Sequence, residues 1–234
     1  MTRTGTSDRS WVARAAWTIA GLGAVWLAGC QNPRPIVLVE QSAAEAWDRG
    51  DMVLAEQEYA ELVDRRPARV SDRLMLGRAR AALGDWAGAR DQLDIAYTIY
   101  PEDSEVLDLL TEARLQLGDT DGLAEELRLA ARTLGRWTDW LRLGEALRRT
   151  GDLDAAEPAL ITAARLDSGR SLRPQLALAE LYEEAGDAER ALERYRMALY
   201  LDPSSGAARD AIRATGEIPG PTFALVPAEA DLAD

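Results

Sequence analysis

The sequence predicts an all-α fold, a solenoid of five helical hairpins closed by a C-terminal capping helix. Three observations support this. A Gly-Asp dipeptide occurs five times, at Gly50, Gly84, Gly118, Gly151 and Gly186, with spacings of 34, 34, 33 and 35 residues. The helix formers Ala, Leu, Arg and Glu dominate the chain, while β-branched and aromatic residues are sparse. Apolar residues between about 36 and 205 recur with helical period. A fixed period of this length means one supersecondary unit in tandem, each copy burying its apolar face against its neighbours. Such a chain displays a long surface rather than building one reaction pocket.

The elements follow in chain order. Residues 1–14 are polar, with Arg3, Arg9 and Arg14 against Asp8, and Ala15 to Gly29 are apolar and small. A charged start, an apolar stretch of 15 residues and a small-residue exit read as an export signal. The stretch is short of the roughly 20 apolar residues that a spanning helix needs. Leu27-Ala28-Gly29-Cys30 resembles the lipobox of bacterial lipoproteins. That resemblance implies cleavage before Cys30, the only cysteine, and lipid attachment to it, with 1–29 as the signal peptide and 30–35 as a short linker. Several acyl chains on one residue anchor stably where a single chain is marginal. By the same resemblance, Gln31 favours the outer membrane, facing the periplasm. At about 3.3–3.6 Å per residue, the linker reaches roughly 17 Å.

Five units are expected at 36–69, 70–103, 104–136, 137–171 and 172–205, each two helices joined at its Gly-Asp. Glycine closes the first helix in the left-handed conformation, and aspartate caps the second. Counted from the glycines, the remaining positions fall into columns. Seven residues before stand Ala43, Gly77, Thr111, Gly144 and Ala179, small side chains where two helices press together. Five after stand Ala55, Ala89, Leu123, Ala156 and Ala191; nine after, Tyr59, Leu93, Leu127, Leu160 and Tyr195. Twelve after stand Leu62, Ala96, Ala130, Ala163 and Ala198; seventeen after, Pro67, Pro101, Gly135, Ser168 and Pro203, where the second helix stops. Unit 3 departs most, at Thr111, Leu123 and Gly135. Ser204 is expected to cap a last helix over 206–215, with Ala207, Ala208, Ala211 and Ile212 facing inward. The tail, 216–234, reads as a disordered acidic segment, or one tethered by Phe223 and Leu225.

The columns resemble the tetratricopeptide repeat over 170 of 234 residues. The resemblance implies a right-handed α-solenoid whose first helices line a concave, partner-binding groove. Carried over, the groove residues are Glu40, Trp47, Arg78, Glu105, Asp108, Glu112, Glu145, Arg148, Arg173, Glu180 and Glu183. This set is acid-rich and predicts a partner segment carrying basic residues. The family's carboxylate clamp of Lys and Asn has no counterpart here. Trp140 is expected to pack between helices, with Trp137 more open.

Composition narrows the chemistry. All 27 basic residues are arginine, and histidine is absent. Lysine chemistry, the usual general base and the commonest metal ligand are therefore missing. The formal charge is −13; the signal holds +2 of it, so a chain starting at Cys30 carries −15. Such a surface repels phosphate backbones, and no nucleic-acid partner is expected. Asp119-Thr120-Asp121-Gly122 resembles part of a calcium loop, but Leu123 and Ala130 fill later ligand positions, so a turn is expected and no metal. No cofactor is implied. The leading expectation is a lipid-anchored, non-enzymatic adaptor that binds another envelope protein. The alternatives are a pilotin-like factor for secretin or pilus assembly, a self-associating array, and a carboxylate-based enzyme of envelope polymers.

Overall fold

A computed structural model describes residues 34–232. The signal segment, Cys30 and most of the linker lie outside the described residues. The repeat unit begins at Ile36 and holds eleven α-helices. These are α1 (Ile36–Asp48), α2 (Met52–Arg65), α3 (Val70–Ala82), α4 (Trp86–Ile99), α5 (Ser104–Leu117), α6 (Leu123–Leu134), α7 (Trp137–Arg149), α8 (Leu153–Leu166), α9 (Leu172–Glu184), α10 (Ala188–Leu201) and α11 (Gly206–Ala214). A short 3-10 turn follows at Ala228–Leu232. Consecutive helices pack pairwise except α5 and α6, and α3, α5, α7 and α9 also touch in sequence along the inner side. This is the expected solenoid of hairpins. Among the described residues no helix is long and apolar enough to cross a membrane.

One junction is built five times. All five glycines take positive φ, from 68° to 86°. The aspartate N–H after each then reaches the carbonyl five residues back, at 2.8–2.9 Å. That is the Schellman closure, which absorbs carbonyls a helix end leaves unpaired. Asp51, Asp85, Asp152 and Asp187 next accept the N–H three residues on, at 2.9–3.1 Å, and so start the second helix.

Asp119 departs from the expected pattern. It closes α5 but does not cap α6, which starts after Gly122 at φ 72° with no side-chain cap. Asp119–Gly122 is a turn. The helix after it is 12 residues long, against 14 in the other four second helices, and a link of only two residues to α7 brings the local spacing to 33.

Interhelix distance follows the small-residue column. Gly77 and Gly144 sit against the leucine sixteen residues on, Leu93 and Leu160. A Cβ on Gly144 would lie 2.4 Å from Leu160 Cδ2 and 3.2 Å from the Leu160 backbone nitrogen, so α7 and α8 touch almost backbone to backbone. Ala43 shares a core cluster with Tyr59, and Ala179 with Tyr195. In unit 3, Thr111 and Leu123 replace the small residues. Here α5 and α6 diverge: α5 packs on α4 and α6 on α7, with Leu107, Leu115, Leu123 and Leu127 filling the gap in the central cluster. Trp137 and Trp140 both pack half-buried on that cluster. Each fully buried leucine contributes about 1.5–3 kcal/mol.

The C-terminal region corrects two expectations. Ser205, not Ser204, caps α11, accepting from the Ala208 N–H, while Ser204 bonds Asp202. Ala208 and Ile212 are buried as expected, but Ala207 is exposed. Residues 216–232 follow the second of the two readings, a segment tethered through Phe223 and Leu225. Leu225 N–H bonds the Arg196 carbonyl at 3.1 Å, and Arg196 Nε bonds the Phe223 carbonyl at 2.8 Å beneath the Phe223 ring. Glu229 is buried, accepting from Arg194 at 2.6 Å and Gln175 at 3.1 Å. Pro227 packs over Gly169. Acid-rich composition suggested a solvated tail, but one buried ion pair and one cation–π contact hold it down.

A glycine-to-alanine change normally strengthens a helix by up to about 1 kcal/mol. Gly144→Ala is expected to do the reverse and lower stability by about 1–3 kcal/mol, because the new methyl overlaps Leu160. Gly206→Ala, with nothing within 4 Å of its added Cβ, should be neutral or stabilising. Urea unfolding of both variants checks this, and equal behaviour would remove the close-packing account.

Candidate functional site

The inner face is lined by odd-numbered helices, and its side chains are tied across repeats. Arg78 on α3 bonds Glu105 on α5 at 2.8 Å. Arg142 on α7 reaches back to Asp108 at 2.6 Å and Ser104 Oγ at 2.8 Å. Arg149 on α7 grips Glu112 on α5 with both terminal nitrogens. Glu145 on α7 holds Arg173 on α9 through both oxygens at 3.1 Å. Arg148 spans to Glu180 at 2.8 Å and to Glu184, both on α9. Each rung joins one repeat to the next.

Between the rungs lies a cleft of about 350 Å3 on α5, α7 and the start of α9. Four arginines (142, 148, 149 and 173) and three carboxylates (108, 112 and 145) line it, over Thr111, Leu115 and Ala146. The lining is therefore balanced, with one net positive charge, and the expectation of an acid-rich groove is corrected. Carry-over placed Asp108, Glu112, Glu145, Arg148 and Arg173 here, with Glu180 at the edge. It missed Arg142, Arg149 and Glu184. Arginine stems are long enough to bring a guanidinium in from a neighbouring helix face, so face assignment by periodicity loses them.

The other carried-over residues lie apart. Glu40 bonds Arg69 at 2.9 Å and also Arg66, beside the first hairpin. Trp47 packs half-buried on the first core cluster. Glu183 accepts from Tyr195 Oη at 2.8 Å, in a separate cleft near Leu192 and Thr215. Among the described residues, no group of three or more acidic, Cys or His side chains is placed to hold a metal ion.

The ladder is anchored by Asp139, whose side chain has no exposed surface. Arg136 binds it with two bonds, at 2.8 and 3.1 Å, and Arg142 adds a third at 2.9 Å. Burial alone would push this carboxyl up, but the bonds from Arg136 and Arg142 outweigh it and hold the group below the usual carboxylate range. Asp72 holds the matching place on α3, with Arg66 at 2.9 Å and Arg69 only at 3.8 Å. Weaker partnering lets burial win, and its carboxyl is pushed up. A sequence signal was available: Arg69-x-x-Asp72 and Arg136-x-x-Asp139 recur two repeats apart, at the start of α3 and α7. At the cleft, the Arg149 hydrogen bond holds Glu112 below its ordinary value against burial. Exposed rungs are worth about 0–1 kcal/mol each, so their main effect is to fix side-chain positions.

Comparison with known proteins bears on the fold. The profile for the tetratricopeptide repeat matches residues 42–104 and 140–214. The stretch between the two matches holds the diverging α5 and α6. No curated protein matches the chain. Among solved structures, TTC0263, a thermophilic TPR protein from Thermus thermophilus, is 22% identical, covers 78% of this chain and 100% of its own, and has a TM-score of 0.60. MamA from Desulfovibrio magneticus RS-1, from residue 41 to its end, is 17% identical over 73% of this chain and 97% of its own, with a TM-score of 0.59. YrrB, described as a TPR protein with an unusual peptide-binding site, is 16% identical over 80% of this chain and 94% of its own, with a TM-score of 0.54. At these identities the likeness speaks for the fold alone.

Removing Arg142 takes away one of the two arginines that compensate the buried Asp139 carboxylate and leaves Asp108 without it, so Arg142→Ala is expected to cost about 3 kcal/mol in urea unfolding at neutral pH. Asp139 has a depressed folded pKa. Its contribution is therefore full above the unfolded value, about 3.9, and is lost as pH falls through the lower folded value. The stability deficit of Asp139→Asn should accordingly shrink below about pH 4. A deficit that stays constant with pH would exclude the charged pair as its source.

Proposed function

The chain belongs to the tetratricopeptide repeat family, and on that premise we propose that it is a protein-interaction adaptor, anchored by lipid on Cys30 and serving the bacterial cell envelope. The central cleft on the inner face is the observation that favours this reading. It is open, polar and built from residues of three repeats. Its guanidinium and carboxylate groups are held at fixed positions by their rungs, so donors and acceptors alternate along the wall. Such a surface suits an extended or helical segment bearing both basic and acidic side chains, which exchange for rung partners as they enter. The peptide-binding site in the description of YrrB is a precedent for peptide capture by this fold. Leu27-Ala28-Gly29-Cys30 supports the anchor, and the role is binding rather than catalysis.

The test is crosslinking in native membranes. The triple variant Glu112→Arg, Glu145→Arg and Glu180→Arg keeps the helix cores and reverses the acid side of three rungs. Partner capture should fall by about tenfold or more, with helical content by circular dichroism unchanged. Capture equal to wild type would place the partner elsewhere. Separately, Cys30→Ser should move the mature protein from the membrane to the soluble fraction; retention of a cleaved form on membranes would rule out lipid as the anchor.

A further inference from the structure

The face made by the even-numbered helices carries a second opening. Between α4 and α6 lies a slot of about 400 Å3, whose apolar walls include Tyr97, Tyr100, Pro101, Leu129 and Leu134. It opens where α6 packs on α7 and not on α5. Its walls are unusually open: Leu129 is 67% exposed and Tyr100 51%. Both charged residues on the rim, Glu102 and Glu126, are acids. Arg114 neutralises Glu126 at 2.6 Å. Arg136, held by Asp139, reaches the Glu102 backbone carbonyl and not its carboxylate, and among the described residues the Glu102 carboxylate makes no hydrogen bond.

The chain itself shows what covers such a corner. Counted from their glycines, Pro101 and Pro203 are equivalent, as are Tyr97 and Leu199. At the later corner, Pro219, Gly220, Pro221 and Ala224 of the tail wall the cleft opposite Leu199, Tyr200 and Pro203. That segment is a proline-bearing turn, closed by the Phe223 and Ala224 N–H groups on the Gly220 carbonyl and fixed to α10 by bonds around Arg196. At the earlier corner no other segment among the described residues lines the same kind of surface.

We infer that the slot between α4 and α6 docks a proline-containing turn of a partner protein that carries a basic residue beside its apolar anchor. Proline pre-sets the backbone of such a turn, so little ordering entropy is lost on docking against the tyrosine rings. Glu102, the unbonded acid on the rim, selects the basic neighbour. The site is separate from the inner cleft and stands or falls independently of it.

The experiment is a fluorescence anisotropy titration of the full chain. The probe is a labelled peptide of residues 219–227 with two arginines added at its amino end. Saturable binding below about 1 mM is expected. Leu129→Glu and Glu102→Arg should each weaken it by about tenfold. Replacing the two arginines of the probe with glutamates should do the same. Leu129 is mostly exposed, so its replacement leaves the core in place, and circular dichroism checks that it does. Absence of saturation, or binding that Leu129→Glu leaves unchanged, overturns the inference.

Discussion

The approach distance between the two helices of each hairpin governs the rest of the molecule. A helix pair closes to near backbone contact only where a glycine or alanine on one faces a large side chain on the other. Gly144 against Leu160 is the limiting case, with no room for one methyl group. The pairing is complementary in size: glycine meets leucine at 77/93 and 144/160, while alanine shares a cluster with tyrosine at 43/59 and 179/195. Because packing density tolerates neither voids nor overlap, the column sets hairpin width, and hairpin width sets the stacking of one repeat on the next. Thr111 against Leu127 departs from this pairing, and here α5 and α6 do not pack on each other.

Charge is organised around this packing. The chain is strongly acidic overall, yet the inner cleft is nearly neutral because arginines are concentrated there. Excess acid therefore lies on other surfaces. Exposed rungs add little stability singly. Their value is positional: once α7 is set against α8 by Gly144, the spacing between α5, α7 and α9 decides which carboxylate each guanidinium reaches. Asp139 differs in kind. Fully buried, it is tolerable only because two arginines saturate it, and loss of either leaves an expensive charge behind. The contrast with Asp72, which has looser partners and the opposite pKa shift, shows that hydrogen-bond geometry rather than burial depth decides the protonation behaviour of these paired positions.

Much of the fold was legible because its determinants are local. The glycine of each junction, the aspartate cap of four of them and the small-residue columns act within one hairpin, so periodicity finds them. The departures all involve longer range or finer register. Asp119 reads as a cap, but a three-residue turn ending at Gly122 displaces the start of α6. Ser204 and Ser205 exchange roles because the closing turn uses Asp202 to bind the first and leaves the second to cap. Glu229 joins Gln175 and Arg194, 54 and 35 residues away, and no sequence window sees that. In the candidate cleft, the helix-face rule located the acids, whose short side chains stay on their own face. It lost Arg142 and Arg149, whose stems carry their charge to another helix.

The two openings share one origin. Thr111 stands where the other repeats have glycine or alanine; its side chain turns back onto the Leu107 carbonyl at 2.7 Å and also lines the inner cleft. Leu123, in the column where the other repeats have alanine, sits in the central cluster with residues of α7. The packing of α6 on α7 leaves α4 without its neighbour on the outer face, which is where Tyr97 and Leu129 frame the slot. A wedge between two helices therefore produces a cavity on each side of the solenoid wall, one polar and one apolar. Chemistry follows from which helices supply the lining: odd-numbered helices bring arginines and acids from three repeats, while the ends of α4 and α6 bring aromatic and aliphatic groups. The repeat that departs most from its neighbours is thus the one where the array gains two surfaces of opposite character, and regular packing on either side keeps both in fixed shape.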